Sequence, residues 1–163
     1  MNRFESEVAV LAEALRARGA MLATAESCTG GLIAAACTAL AGSSEWFERG
    51  FVTYSNAAKS EMLGVEPALI AVHGAVSAEV ACAMAEGALA GSHASWSVAV
   101  TGIAGPSGAT PGKPVGTVWL ALAGKGLAAS AELLQLSGDR ASIREKTVHR
   151  ALQRLIAATA AQA

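Results

Sequence analysis

W-S-V-A-V-T at 96–101 and G-T-V-W-L-A-L-A at 116–123 are apolar at almost every position, with no polar residue recurring at every second place. A strand with one wet face alternates with a period of two. A short run that is apolar throughout, bounded by Gly and Pro, is a strand covered on both faces. The two long uncharged stretches, between Glu26 and Glu45 and between Glu86 and Lys113, are broken by Gly, Ser and Thr, and neither supplies the roughly 20 mostly apolar residues of a membrane span. Two further runs join these strands. M-L-A-T-A at 21–25 reads as a buried strand, and F-V-T-Y-S at 51–55, β-branched and aromatic, as another. Residues 131–136 complete a hairpin with 116–123.

Helical signals lie between these strands. Val8, Leu11 and Leu15 mark a helix over 4–18 that stops at Gly19. Gly30 and Gly31 open an Ala-rich helix ending near Gly42. Asn56 is placed to cap a helix that stops at Gly64, Pro67 fits a first turn, and Ser77 caps a helix to about Ala90. Asp139 caps a long C-terminal helix to about residue 158. Alternating strands and helices around two-sided strands predict an α/β fold, a three-layer α/β/α sandwich with a mixed, mostly parallel sheet. The 163 residues suit a single domain spanning 1–163. The 39 alanines favour helices lying close to a thin, small-chained partner layer.

Composition excludes several classes of function. With 53% hydrophobic and 15% charged residues the chain is not disordered. A net charge of −1, from 12 basic and 13 acidic residues, leaves no electrostatic footprint for nucleic acid. Cys28, Cys37 and Cys82 make an odd count with no CxxC, so neither a disulfide framework nor a zinc site is expected, and the chain reads as cytoplasmic. The start M-N-R-F-E-S-E-V has no apolar core of a signal peptide, and no membrane partner is expected. The high apolar fraction is compatible with a homodimer.

Four stretches carry functional groups that packing does not require. In T-A-E-S-C-T-G-G, 24–31, a strand end meets a helix start, where free backbone N–H groups and the positive dipole end converge on a phosphate or oxyanion. Ser27 presents its hydroxyl there; the plainer reading makes Ser27 or Thr29 a helix cap. Tyr54, the single Tyr, and Lys59, the only Lys before Lys113, fall near the sheet's carboxyl edge, where open α/β sheets bind ligands. A Lys acts as a base only when neutral, and an apolar pocket lowers its pKa by up to about 3–5 units; the plainer reading is a solvated helix Lys. T-G-I-A-G-P-S-G, 101–108, continues to K-P-V-G-T-V-W and spaces its glycines GxxGxxG. That is not the dinucleotide fingerprint. G-A-T-P-G-K-P at 108–114 falls one residue short of a P-loop. It reads either as an anion-binding loop or as a surface turn. S-G-D-R, 137–140, sets Arg140 in a helix's first turn, tolerable where an anionic ligand meets it. His73, His93 and His149 have no ligand spacing and read as surface or cap residues, and Glu45, Glu48 and Arg49 as a solvated charge cluster.

The ordered set T-A-E-S-C-T-G-G, G-S-S-E-W-F-E-R-G-F-V-T-Y-S-N-A-A-K, H-G-A-V-S, T-G-I-A-G-P, K-P-V-G-T-V-W and S-G-D-R resembles the CinA C-terminal domain family over about residues 8–155. The resemblance implies nicotinamide-nucleotide amidohydrolase activity in bacterial pyridine-nucleotide salvage: nicotinamide mononucleotide and water give nicotinate mononucleotide and ammonia. It implies a small nucleotide substrate, no metal and no cofactor. Many relatives add an N-terminal domain resembling molybdopterin-binding proteins, and this chain looks like the stand-alone form. The family's functional positions fall on Ser27, Ser44, Tyr54, Lys59 and Arg140. The scheme that follows has Ser27 attacking the carboxamide, Lys59 as base, Tyr54 positioning or relaying the proton and Ser44 as alternative nucleophile. Arg140 holds the 5′-phosphate. Thr29, Gly30, Gly31, Thr101, Gly102 and Gly105 line the substrate, with N–H groups near Gly30 or Gly102 as oxyanion donors. The alternative is a non-catalytic nucleotide-binding or assembly module. A phosphoryl-transfer enzyme has neither a Walker-type loop nor paired metal-binding carboxylates to support it.

Overall fold

The computed structural model describes residues 3–161, arranged as five strands between two helical layers. The sheet order is β2-β1-β3-β4-β5, formed by β1 Leu22–Glu26, β2 Phe47–Val52, β3 Trp96–Gly102, β4 Thr117–Gly124 and β5 Ser130–Gln135. β1 pairs parallel with β2 and β3, while β4 pairs antiparallel with β3 and β5. The sheet is therefore mixed, as expected, with the antiparallel part confined to the predicted hairpin.

The period of two divides the core by side-chain size. Leu22, Trp96, Val98, Val100, Val118, Leu120 and Leu122 point toward α1 (Glu5–Ala17), α2 (Leu32–Thr38) and α6 (Arg140–Ala161). Ala23, Ala25, Ala99, Ala121 and Ala123 point the other way, toward α5 (Ala78–Ala90), with Leu63 of α3 (Asn56–Leu63) and Ile70 of α4 (Pro67–His73) in the same cluster. The alanine count is thus the mark of one layer: a methyl-lined sheet face against an Ala-rich helix. α5 also meets α3 closely. A Cβ on Gly87 would lie 2.0 Å from the Leu63 carbonyl oxygen.

Three boundaries differ from the sequence reading. The second strand occupies Phe47–Val52, not 51–55. As an edge strand it tolerates Glu48 and Arg49, so its start carried no apolar signal, and Thr53–Ser55 turn away to begin α3. The cap of α3 is Ser55, whose Oγ accepts from the Ala58 N–H at 3.0 Å; Asn56 is the first helical residue. α2 ends at Thr38, short of Gly42, where the Thr38 hydroxyl donates back to the Ala34 carbonyl at 2.8 Å.

Topology fixes where a ligand can enter. α2 leaves β1 on the large-side-chain face, and α3 to α5 return from β2 on the alanine face. The chain thus departs to opposite faces around β1, leaving a crevice at the carboxyl ends of β1 and β3, the switch point of an open sheet.

Candidate active site

That crevice is a cleft of about 250 Å³, lined among others by Ser27, Tyr54, Lys59, Thr101, Gly105 and Arg140. Ser27 follows β1 directly, its N–H donating to the Val100 carbonyl at 3.1 Å, so the hydroxyl is placed by the sheet ladder. Thr53 follows β2 in the same way, with its N–H on the Glu26 carbonyl at 2.9 Å. Lys59, in the first turns of α3, reaches back between them. Its Nζ donates to Ser27 Oγ and to the Thr53 carbonyl, both at 3.1 Å.

Lys59 is 2% exposed, and no carboxylate among the described residues pairs with it. Burial therefore lowers its pKa below the usual lysine value; a Cys28 thiolate would raise it. That opposing effect is absent near neutrality, because burial pushes the Cys28 thiol up to about 12. The positive end of α3 further disfavours an ammonium group at this position. The arrangement joins a primary alcohol to an amine held toward its neutral form, the pairing that lets a hydroxyl become a nucleophile. Cys28, protonated and buried, is packing.

Tyr54 and Arg140 form the rim. Arg140 donates from Nη1 to the Gly105 carbonyl at 2.7 Å and from Nη2 to the Tyr54 hydroxyl at 3.0 Å. Gly105, at φ +79°, turns that carbonyl outward. Tyr54 is 61% exposed, and its hydroxyl is engaged by Arg140, not by Lys59 or Ser27. Thr101 lines the floor, with its hydroxyl donating to the Ala75 carbonyl at 3.0 Å. Gly102 lies beside it at the end of β3.

Four expected residues sit elsewhere. Thr29, Gly30 and Gly31 do not line the cleft, because the α2 N-terminus is already occupied. Glu26, fully buried, accepts the Thr29 hydroxyl at 2.6 Å and the Ile33 and Ala34 N–H groups at 2.8 and 3.0 Å. The Gly30 N–H donates to the Ser27 carbonyl at 3.0 Å, and Gly31 is the left-handed cap of α2. These residues build the turn that carries Ser27. Ser44 is exposed in the turn Ser43–Glu45 ahead of β2, at the amino edge of the sheet. The strand's length, about 20 Å, separates it from Lys59.

Sequence reasoning missed Glu26 and Arg144. Arg144 donates to the Cys28 and Thr29 carbonyls, both at 3.1 Å, and so clamps the Ser27 turn from α6. Its signal was available: Arg140 and Arg144 are four residues apart on one helix, hence on one face. Asn56, read from the sequence only as a helix cap, and Ser107 also line the cleft. Among the described residues no group of three or more His, Cys, Asp or Glu could hold a metal ion, and no helix is long and apolar enough to cross a membrane.

The profile of the CinA C-terminal domain matches residues 5–159. The chain belongs to the CinA C-terminal domain family. Among curated relatives it is 51% identical, over 93% of its own length and 94% of theirs, to "Nicotinamide-nucleotide amidohydrolase PncC" of Escherichia coli. It is 54% identical to the protein of the same name from Pseudomonas putida, over 90% and 91% of the two chains. The crystal structure of competence/damage inducible protein CihA from Agrobacterium tumefaciens superposes with a TM-score of 0.87 at 47% identity, over 93% of this chain and 94% of that one. A CinA superfamily protein from Klebsiella pneumoniae reaches 0.91 at 37% identity, over 95% and 96%. The three-layer arrangement is thus the fold of this family.

Proposed function

We propose that this chain is a nicotinamide-nucleotide amidohydrolase, converting nicotinamide mononucleotide and water to nicotinate mononucleotide and ammonia. One observation carries the chemistry: the 3.1 Å contact between Lys59 Nζ and Ser27 Oγ, buried and free of any carboxylate. The relatives that bear the amidohydrolase name supply the substrate class.

In this reading the neutral Lys59 amine takes the Ser27 proton as Oγ bonds to the carboxamide carbon. The resulting ammonium returns the proton to the amide nitrogen as the C–N bond breaks and ammonia leaves. A water molecule, deprotonated by the same amine, then attacks the acyl ester; the ammonium returns that proton to Ser27 Oγ as the ester C–O bond breaks and the acid product leaves, ionised to its carboxylate. A positioned base of this kind is worth about 10²–10⁴ in rate. The Thr53 carbonyl orients the amine and steadies the transient ammonium. Arg140 supplies the cation for the 5′-phosphate, and Tyr54, bonded to Arg140, holds the guanidinium at the rim and does not relay the catalytic proton. A cytoplasmic setting belongs to the same reading, since Cys28, Cys37 and Cys82 are free thiols, the state a reducing compartment maintains.

Mass spectrometry of enzyme quenched during turnover tests the scheme. A nicotinoyl nucleotide ester is expected on the peptide holding Ser27. An adduct on the Ser44 peptide, or ammonia release by Ser27→Ala within tenfold of the parent, overturns it.

A further inference from the structure

The cleft does not end at Ile103. A second lobe of about 180 Å³ opens beside it, lined by Gly74, Ala75, Val76, Ile103, Gly108, Thr110 and Lys113, and shares four of these residues with the catalytic cleft. Lys113 is held in place by its own turn. The Thr110 N–H donates to the Lys113 carbonyl at 3.1 Å, and the Lys113 N–H donates to the Thr110 carbonyl at 2.9 Å. Its ammonium group donates to the His73 carbonyl at 3.1 Å and pairs with no carboxylate among the described residues. An ammonium has three donors, so two remain for a ligand. Gly74 makes the room: a Cβ there would lie 3.2 Å from Lys113 Nζ. Arg140 stands on the α6 side of the 103–116 loop and Lys113 on the α4–α5 side, so the cleft has a cation at each end.

We infer that the Lys113 lobe is a phosphoryl subsite of the cleft. An apolar lobe holding one unspent cation, continuous with the site of the reaction, suits an anionic group attached to the reacting nucleotide. Arg140 takes the 5′-phosphate of the mononucleotide at the other end of the cleft, so the group at Lys113 is a further phosphoryl group of an extended nicotinamide nucleotide. The inference rests on the proposed function for the identity of the nucleotide, not for the existence of the subsite.

The test is Lys113→Ala, with Lys113→Arg as the variant that keeps the cation and thermal melting as the check on folding. Inhibition by nicotinamide adenine dinucleotide weakens about tenfold in Lys113→Ala, while KM for nicotinamide mononucleotide, whose phosphate Arg140 holds, moves less than twofold, and Lys113→Arg recovers most of the loss. An inhibition constant within twofold of the parent, no inhibition of the parent, or a tenfold rise in KM for the mononucleotide overturns the assignment. Calorimetric titration with inorganic phosphate judges it without turnover: weaker binding by Lys113→Ala than by the parent supports the subsite, and equal or undetectable binding by both opposes it. Absence of ammonia release by the parent protein would refute the proposed function and leave that titration valid.

Discussion

Replacing Lys59 by Met separates what this side chain does for folding from what it does for chemistry. Met fills nearly the same volume and removes the amine. Two hydrogen bonds disappear, to Ser27 Oγ and to the Thr53 carbonyl. At about 0.5–1.5 kcal/mol net for each, the loss is about 1–3 kcal/mol when both folded and unfolded parent chains hold a neutral amine. That condition is met only above the ordinary lysine value of 10.5. Below it the unfolded chain binds a proton that the folded chain, its pKa lowered by burial, does not. The unfolded state then carries more protons, so parent stability falls as pH falls, by about 1.4 kcal/mol per pH unit, until the folded pKa is reached. The Met variant has no such dependence at this site. The parent's advantage therefore shrinks as pH falls from 10.5 toward the lowered folded value, and Lys59→Met gains on the parent over that window. Its kcat falls by about 10²–10⁴. Urea denaturation of both proteins at a series of pH values from 7.5 to 10.5 measures the difference. A stability difference that stays flat across this range, with kcat within tenfold of the parent, would mean an ordinary solvated ammonium, and the base assignment would fail.

The other expectations concern the rim, the turn and the helix contact. Arg140→Ala raises KM for nicotinamide mononucleotide by tenfold or more, about 1.4 kcal/mol per decade, and leaves that for free nicotinamide nearly unchanged; equal rises for both remove Arg140 from phosphate binding. Glu26→Gln faces an amide N–H₂ against the Ala34 N–H, and the unsatisfied donor lowers stability by about 1–3 kcal/mol in denaturant melts; an unchanged midpoint would show that the turn holds without the carboxylate. Gly87→Ala reverses the gain of about 1 kcal/mol expected in a helix. Its methyl would meet the Leu63 carbonyl at 2.0 Å, so a net loss of about 1–3 kcal/mol is expected, with lower kcat because α3 carries Lys59. A stabilised Gly87→Ala would show that α3 moves away freely. At pH 7.5 a maleimide modifies half-buried Cys82 before Cys28, whose thiol burial holds at about 12; first labelling at Cys28 would contradict that environment.

What the sequence disclosed depended on whether a residue's role was local. Strands covered on both faces stand out because every position is apolar, and β3 and β4 fell within a residue of their expected ends. Edge strand β2 did not stand out, because Glu48 and Arg49 are at home on an edge and the aromatic and β-branched signal begins later, at Phe51. The Ala-rich run after Gly31 offered no stop before Gly42, yet α2 ends four residues earlier where Thr38 bonds back on its own helix. Ser27, Lys59, Tyr54 and Arg140 could be named one by one. Their division into a buried pair and an exposed pair could not, because it depends on how β1, α3 and α6 converge.

Glu26 shows why Thr29, Gly30 and Gly31 lie apart from the cleft. A strand-to-helix turn rich in Gly and Thr looks like an anion site because helix N–H groups are assumed to be free. The rule for capping searches the residues next to the helix, and there it finds only Gly31. The carboxylate that satisfies α2 comes from the last residue of β1, seven and eight positions before the N–H groups it accepts. With that carboxylate in place the Ile33 and Ala34 N–H groups of α2 are already taken. The cationic side chains on the two sides of the cleft come from other elements, Arg140 from α6 and Lys113 from the loop before β4. Glu26 thereby fixes, from inside the core, the turn that presents Ser27.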